Sequence, residues 1–298
     1  EIKHILEKQD YIDSVIENSF RRGKFFFNDV IELSNKLKNI NIDRAYILEK
    51  TKGTVIACKL ARIKNIYGFG IGSQKYFVNR LVKLEEEDLR YNYTEQSIKF
   101  LKKLNISYNF NENFLSLSDD DKKKFNKDYI NLPKPWVCLG VDSTEVNRIW
   151  PQKNFAELSD ILIKKKLAGT FFVINFMDHK NYFQEIVNNS KNKKQFINCK
   201  FMNRSQIIHL IDMCDYFVGI DSGPSCISGA IGKKTFCIIG PTDQTLPRFI
   251  SMKKIISDIY DKSREVGIKR CGDNFIQNDL EVKRISVQQV FDTIVKFL

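Results

Sequence analysis

Four short runs in the second half of the chain are apolar almost from end to end: Trp136–Gly140 (WVCLG), Thr170–Asn175 (TFFVIN), Tyr216–Ile220 (YFVGI) and Thr235–Ile239 (TFCII). A strand with one wet face alternates apolar and polar residues. Runs without alternation need cover on both faces, as in a parallel sheet held between helical layers. The segments between them carry helix signals. Pro151–Lys166 opens with a proline in its first turn, and Asn203 is placed to cap a helix that puts Ile207, Ile208, Ile211 and Cys214 on one face. Ser225–Gly232 reads as a short helix, and Val287–Leu298 as a last one, with Ser286 and Gln289 in capping-box spacing. The fold class that follows is α/β with a parallel sheet.

The first half is less regular. The spacing predicts a helix over Phe27–Leu37, a strand over Arg44–Leu48, a helix over Thr54–Arg62 and a short strand over Tyr67–Gly70. Thr94 is a candidate N-cap for Glu95–Leu104, and Ser118–Asp128 (SDDDKKKFNKD) reads as a solvated helix with acid at its start and base at its end. Asn131–Pro135 (NLPKP) breaks regular structure. With 298 residues, enough for about two domains, the expected division is residues 1–134 and 135–298, and the last helix, 287–298, is a candidate to pack back on the first domain.

Composition narrows the function classes. The seven cysteines are odd in number, form no C-x-x-C pair and mostly sit in apolar stretches, so they read as reduced core residues. No apolar run reaches the roughly 18 residues of a membrane span. Lys and Arg outnumber Asp and Glu by 48 to 36, a net charge of +12. That balance suits nucleic acid, an anionic membrane surface or a phosphorylated substrate, and charge alone does not choose among them. His4, His179 and His209 are scattered. Serine-hydrolase, zinc-protease and P-loop signatures are missing, and Gly68–Gly72 fails the dinucleotide fingerprint.

In a parallel α/β sheet ligands bind beyond the carboxyl ends of the strands. The loop after Ile220 reads Asp221-Ser222-Gly223-Pro224-Ser225, an acid followed by a turn into a helix whose N-terminus favours a phosphate or a sugar hydroxyl. The loop after Gly140, Val141–Ile149, offers the hydroxyls of Ser143 and Thr144 and the planar fork of Arg148. Gly240-Pro241-Thr242-Asp243 is a further turn at the same end. Three such loops together carry more weight than any one.

With these residues in view, the chain resembles glycosyltransferase family 9, the ADP-heptose:lipopolysaccharide heptosyltransferases. R-I-W-P-Q-K-N-F-A-E-L (Arg148–Leu158) is similar to the family's K-x-W-P-x-x-x-F-A-E-L segment. D-Y-F-V-G-I-D-S-G-P (Asp215–Pro224) followed by A-I-G-K-K-T-F-C-I-I-G-P-T-D (Ala230–Asp243) resembles its most distinctive run. The likeness is strongest from Trp136 to Arg248, and looser over Arg44–Arg62 and Ile66–Phe69.

The resemblance implies a GT-B fold, two facing Rossmann-like domains, and an inverting transfer of heptose or a related sugar from an ADP-sugar to a phosphorylated lipopolysaccharide-core acceptor. It implies no cofactor and no metal, a cytoplasmic location with peripheral contact at the inner membrane, and no nucleic-acid partner. Ser143, Thr144 and Arg148 would face the donor diphosphate, Met202 would flank the adenine, and Asp221, Ser222, Gly223 and Pro224 would hold the sugar and phosphates. Arg21, Arg22 and Lys24 are candidate acceptor contacts. Arg148 stands where the family has Lys, and Cys226 where it often has His. The family's first βα unit, which carries the catalytic base, has no counterpart in the chain, so the base is expected upstream of Glu1. The alternatives are another GT-B transferase or epimerase and a non-catalytic binder of anionic surfaces or nucleic acid.

Overall fold

The computed structural model describes residues 3–7, 9–18, 20, 26–48, 52–70, 72–84, 93–108, 129–176, 181–240, 249–258 and 280–298. The chain divides into two compact units, within residues 3–109 and 110–298.

In the first unit α1 (Phe27–Lys38), β1 (Arg44–Ile47), α2 (Gly53–Leu60), β2 (Asn65–Gly68), β3 (Arg80–Leu81) and α3 (Tyr93–Lys103) follow one another. The three strands form a parallel sheet in the order β1-β2-β3. Val30, Leu33 and Leu37 of α1 pack with Val55, Ala57 and Cys58 of α2 over Ile47 and Ile66. Phe100 of α3 lies in a separate cluster with Phe69, Val82 and Leu84. Thr94 lies inside α3 rather than capping it, because the helix starts one residue earlier. Ser118–Asp128 falls outside the described residues.

The second unit is built on β4 (Trp136–Gly140), β5 (Thr170–Ile174), β6 (Phe196–Asn198), β7 (Tyr216–Ile220), β8 (Thr235–Ile239) and β9 (Met252–Ile256). Between them run α4 (Gln152–Lys164), α5 (Tyr182–Asn189), α6 (Arg204–Met213) and α7 (Gly223–Ala230), and α8 (Leu280–Arg284) and α9 (Val287–Phe297) close the chain. All six strands are parallel, in the order β6-β5-β4-β7-β8-β9. Both faces of the central strands are covered, as their composition requires. Val137, Leu139, Phe171, Val173, Val218 and Ile238 face a layer that includes Phe155, Leu158 and Leu162 of α4. Trp136, Cys138, Phe172, Ile174 and Phe217 face Ile207, Leu210 and Ile211 of α6. Tyr129 and Leu132 pack against this second layer, so the proline-rich segment before β4 is part of its support.

The four strands expected here are present, β5 ending at Ile174. Strands β6 and β9 escape the apolar-run criterion because they form the sheet's edges. β6 has three residues, and β9 carries Lys253 and Lys254, which an edge tolerates. Asn203 caps α6 in a full capping box with Gln206. At α9 only half the box forms. Ser286 Oγ accepts from Gln289 N at 3.1 Å, while Gln289 Nε2 donates to Ile256 O and ties the helix to β9. The apolar stripe of α9, Val287, Val290 and Ile294, belongs to the α4 layer, so it is accounted for within the second unit. Six cysteines are described and all are free thiols, five of them buried; Cys271 lies outside the described residues.

Candidate functional site

Strand order reverses between β4 and β7: the chain leaves β4 toward β5 and β6 on one side, then returns to build β7, β8 and β9 on the other. Connections on the two sides diverge there and open a crevice at the carboxyl edge. The loops bordering it are those that follow Gly140 and Ile220. The sheet is tightly drawn at this point. Gly140 pairs with Gly219, and a Cβ on Gly140 would stand 2.6 Å from the Phe217 ring, so only glycine admits that ring between the two strands.

Short contacts hold the edge loops together. Asp142 Oδ2 accepts from Phe176 N at 2.6 Å, joining the loops after β4 and β5. Asp221 N donates to Ile238 O at 3.2 Å. At Gly240 a Cβ would lie 3.2 Å from Asn147 O, so the turn after β8 approaches the backbone beside Arg148 closely. Residues Val146–Arg148 form one turn of 3₁₀ helix. Two residues on, Trp150 is fully buried and its Nε1 donates to Ile285 O at 2.8 Å, which fixes the end of this loop.

On this frame Arg148 Nη1 stands 3.4 Å from Asp221 Oδ2, the side chains being 14% and 5% exposed. Arg148 Nε is buried without a hydrogen-bond partner, and so are Ser222 Oγ, Asn147 Oδ1 and Gln152 Oε1. Ser222 is the N-cap of α7, but its side chain does not cap the helix. Pro224 follows and has no N–H to offer, so the donors of this terminus are few and the hydroxyl of Ser222 adds to them. Gly223 is exposed, and a Cβ there would meet nothing within 4 Å. A buried cation with an unmet donor, an unmet hydroxyl and a helix N-terminus are together suited to an anion with several oxygens.

The structure therefore brings together Arg148, Asp221, Ser222, Gly223 and the buried Pro224. Ser143 is half-buried and its Oγ accepts from Glu145 N at 3.2 Å, which shapes the same loop; Thr144 is exposed in it. Met202 is half-buried at the start of α6, in the loop after β6, packed against the α6 layer. Its neighbour Phe201 is 89% exposed, a bare aromatic at the carboxyl edge that periodicity could not single out. Cys226, on the first turn of α7, is close enough to feel the pair. Burial pushes its thiol up to about 11, with Asp221 adding to the shift and Arg148 opposing it. His209 is buried within α6. Arg21, Arg22, Lys24, His179 and Pro241–Asp243 lie outside the described residues.

A doubly covered parallel sheet whose strand order reverses beside a crevice is the arrangement of a Rossmann-like unit. The family model for glycosyltransferase family 9 (heptosyltransferase) matches residues 30–270, and the chain belongs to that family. It is a glycosyltransferase with the parallel-sheet α/β fold of GT-B heptosyltransferases. The glycosyltransferase family 9 protein of Veillonella parvula is 14% identical, with a TM-score of 0.76 over 99% of this chain and 85% of that one. E. coli ADP-heptose lipopolysaccharide heptosyltransferase II is 16% identical, with a TM-score of 0.68 over 91% of this chain and 80% of that one. E. coli heptosyltransferase WaaC, solved with ADP-2-deoxy-2-fluoro heptose, is 15% identical, with a TM-score of 0.67 over 99% of this chain and 87% of that one. A comparison with curated protein sequences gives no match. Among the described residues no helix is long and apolar enough to cross a membrane.

Proposed function

We propose that the chain transfers heptose, or a closely related sugar, from an ADP-linked donor to a phosphorylated lipopolysaccharide-core acceptor, with inversion at the anomeric carbon. The observation that carries this reading is the largely buried Arg148 guanidinium, with Nε unmet, paired with Asp221 directly before the unmet hydroxyl of Ser222 at the start of α7. The acceptor hydroxyl attacks the anomeric carbon from the face opposite the diphosphate and gives its proton to a base. The bond between that carbon and the phosphate oxygen breaks, and the electron pair leaves with ADP. Negative charge therefore grows on the β-phosphate, where Arg148, Ser222 and the α7 terminus stabilise it. Met202 and Phe201, in the loop after β6, offer the adenine an apolar edge. The +12 net charge suits an acceptor that carries phosphates and lies at an anionic membrane surface.

Cys226 favours a second reading within the same class. A largely protonated thiol does not make the hydrogen bonds of the imidazole that the family resemblance places here, and this supports a donor sugar that does without them. Calorimetric titration with ADP, UDP, GDP and their sugar conjugates separates the two. Selective binding of ADP and ADP-heptose supports the first reading. Preference for UDP or GDP moves the function to another transferase, and no binding by folded protein refutes both.

A further inference from the structure

All strands of a parallel sheet start at one edge, so the segments that enter the strands of the second unit share its amino edge, at the far end from the crevice. Those segments are rich in lysine. Lys134 precedes β4, Lys164, Lys165 and Lys166 precede β5, Lys191, Lys193 and Lys194 precede β6, and Lys233 and Lys234 precede β8. All are exposed except the half-buried Lys233. Asp212 and Asp215 precede β7, and Asp215 Oδ2 accepts from Trp136 N at 2.7 Å. Asp160 of α4 reaches the turn before β6, where it accepts from Ser190, Lys191 N and Asn192. Helix carboxyl ends gather at this edge and favour cations, but one lysine at each would serve that purpose, and three end α4 alone. The lysines extend from β6 to β8, four strand spacings or about 20 Å. Among them a cavity of about 470 Å³ is lined by Lys166, Lys233 and Lys234 with Asp212 and Asp215.

We propose that this amino edge docks on an anionic lipid bilayer, with the spread lysines on headgroup phosphates and the cavity admitting one headgroup. Composition chooses the partner. Residues 131–135, 164–169, 190–195, 212–215 and 231–234, which enter the strands, include no arginine and no aromatic residue. A nucleic-acid surface uses guanidinium forks and rings that stack on bases, whereas compact, hydrated ammonium groups on flexible stems suit a fluid sheet of phosphates. A small anion touches only a few of these lysines. A bilayer meets the whole field, and each lysine near such a surface is worth about fivefold in affinity. Central strands of five residues put the crevice about 17 Å from this edge, so a docked second unit leaves its crevice open to dissolved sugar nucleotides. The inference does not depend on the donor-site reading, because the lysines and the crevice lie at opposite ends of the strands.

The test is sedimentation of the full chain with vesicles of phosphatidylcholine alone, and of equal parts phosphatidylcholine and phosphatidylglycerol, at low and high salt. The wild type should sediment with the anionic vesicles only and be released as salt rises. The variant Lys164→Gln/Lys165→Gln/Lys166→Gln/Lys193→Gln/Lys194→Gln changes exposed side chains, so it should keep its urea midpoint while vesicle binding weakens at least about tenfold. A comparison variant, Lys38→Gln/Lys59→Gln/Lys64→Gln/Lys75→Gln/Lys83→Gln, removes the same charge from exposed positions of the first unit and should bind nearly as the wild type does. Equal losses in the two variants, or none in the first, overturn the proposal, since net charge alone or another surface then does the binding. So does a wild-type chain that ignores anionic vesicles, or that binds a short DNA duplex in preference to them. ADP titration without vesicles reads the donor site separately.

Discussion

Replacing Arg148 with Met keeps most of its volume and removes its charge, which isolates what the pair with Asp221 contributes to the fold. At 3.4 Å and an effective dielectric of about 20, the attraction is about 5 kcal/mol before either group's desolvation is counted. With 14% and 5% exposure there is little screening, so the usual discount for surface pairs is small. Removing one member of a buried pair leaves the other uncompensated, typically at a cost of about 3–5 kcal/mol. The long, single contact puts Arg148→Met near the lower end, about 3 kcal/mol. The double variant Arg148→Met/Asp221→Leu, which leaves no charge behind, should return to within about 1 kcal/mol of the wild type, giving a coupling of about 2 kcal/mol or more.

The assay follows from composition. The chain has two tryptophans, Trp136 and Trp150, both buried in the second unit, so fluorescence during urea unfolding reports on the unit that holds the pair. With a slope of about 2 kcal/mol per molar urea, the single variant's midpoint should fall by about 1.5 M. A fall of less than about 0.5 M, or a double variant whose loss equals the sum of the singles, would show that solvent already compensates the charges.

Three further outcomes are expected. Asp160 receives hydrogen bonds from Ser190 Oγ at 2.7 Å, Lys191 N at 3.0 Å and Asn192 Nδ2 at 2.7 Å, fastening α4 to the turn after α5. Burial alone would raise its carboxyl, but these bonds hold it below the ordinary 3.8. Its stabilisation is therefore present above pH 3.8 and lost as pH falls through the lower folded value; Asp160→Ala should cost about 1–2 kcal/mol at pH 7, with the gap to wild type closing on acidification in urea titrations at each pH. Gly223→Ala adds a Cβ that meets nothing within 4 Å apart from its chain neighbours, so the urea midpoint should fall only modestly, through the penalty Pro224 places on a helical non-glycine residue before it, while ADP binding weakens markedly if the diphosphate occupies that space; unaltered calorimetric affinity would move the ligand elsewhere. Cys226, with its thiol near 11, should be about one part in a thousand thiolate at pH 8 and react with iodoacetamide far more slowly than free cysteine, a rate that mass spectrometry measures and that near-free reactivity would contradict.

What could be read from sequence depended on where each residue sits in the sheet. Central strands such as WVCLG and YFVGI are buried on both faces, so their composition states their environment, and their carboxyl ends then locate the loops that matter. Edge strands carry no such mark: Met252–Ile256 pairs on one side and keeps two lysines. Arg148 and Asp221 were legible as candidates because one follows β4 and the other ends β7. Their contact was not, since 73 residues separate them and only the β6-β5-β4-β7 order makes the two strands neighbours. Phe201 was missed because a single exposed aromatic has no period; its signal is local, an apolar pair just before the Asn203 cap in an otherwise polar turn.

Arg148 Nε, Asn147 Oδ1 and Gln152 Oε1, on the segment that follows β4, and Ser222 Oγ, at the start of α7, are buried with unmet hydrogen-bonding capacity. Each such buried group costs about 1–3 kcal/mol, so the four together are comparable with the 5–15 kcal/mol of net stability that a domain has to spare. An arrangement this unfavourable persists only on a rigid support. The frame is the sheet itself: the Gly140–Gly219 approach around Phe217, the Trp150 anchor on Ile285 and the Asp142 bond to Phe176 leave the loops few ways to turn these groups toward water. Apolar substitutions at Ser222 and Asn147 should therefore be close to neutral for the fold, with their cost falling on ligand binding, whereas Arg148 is also held in its pair with Asp221 and Gln152 also donates to Val141 O. That opposition between stability and binding, at residues the core does not need, is the physical mark of a site and not of a packing accident.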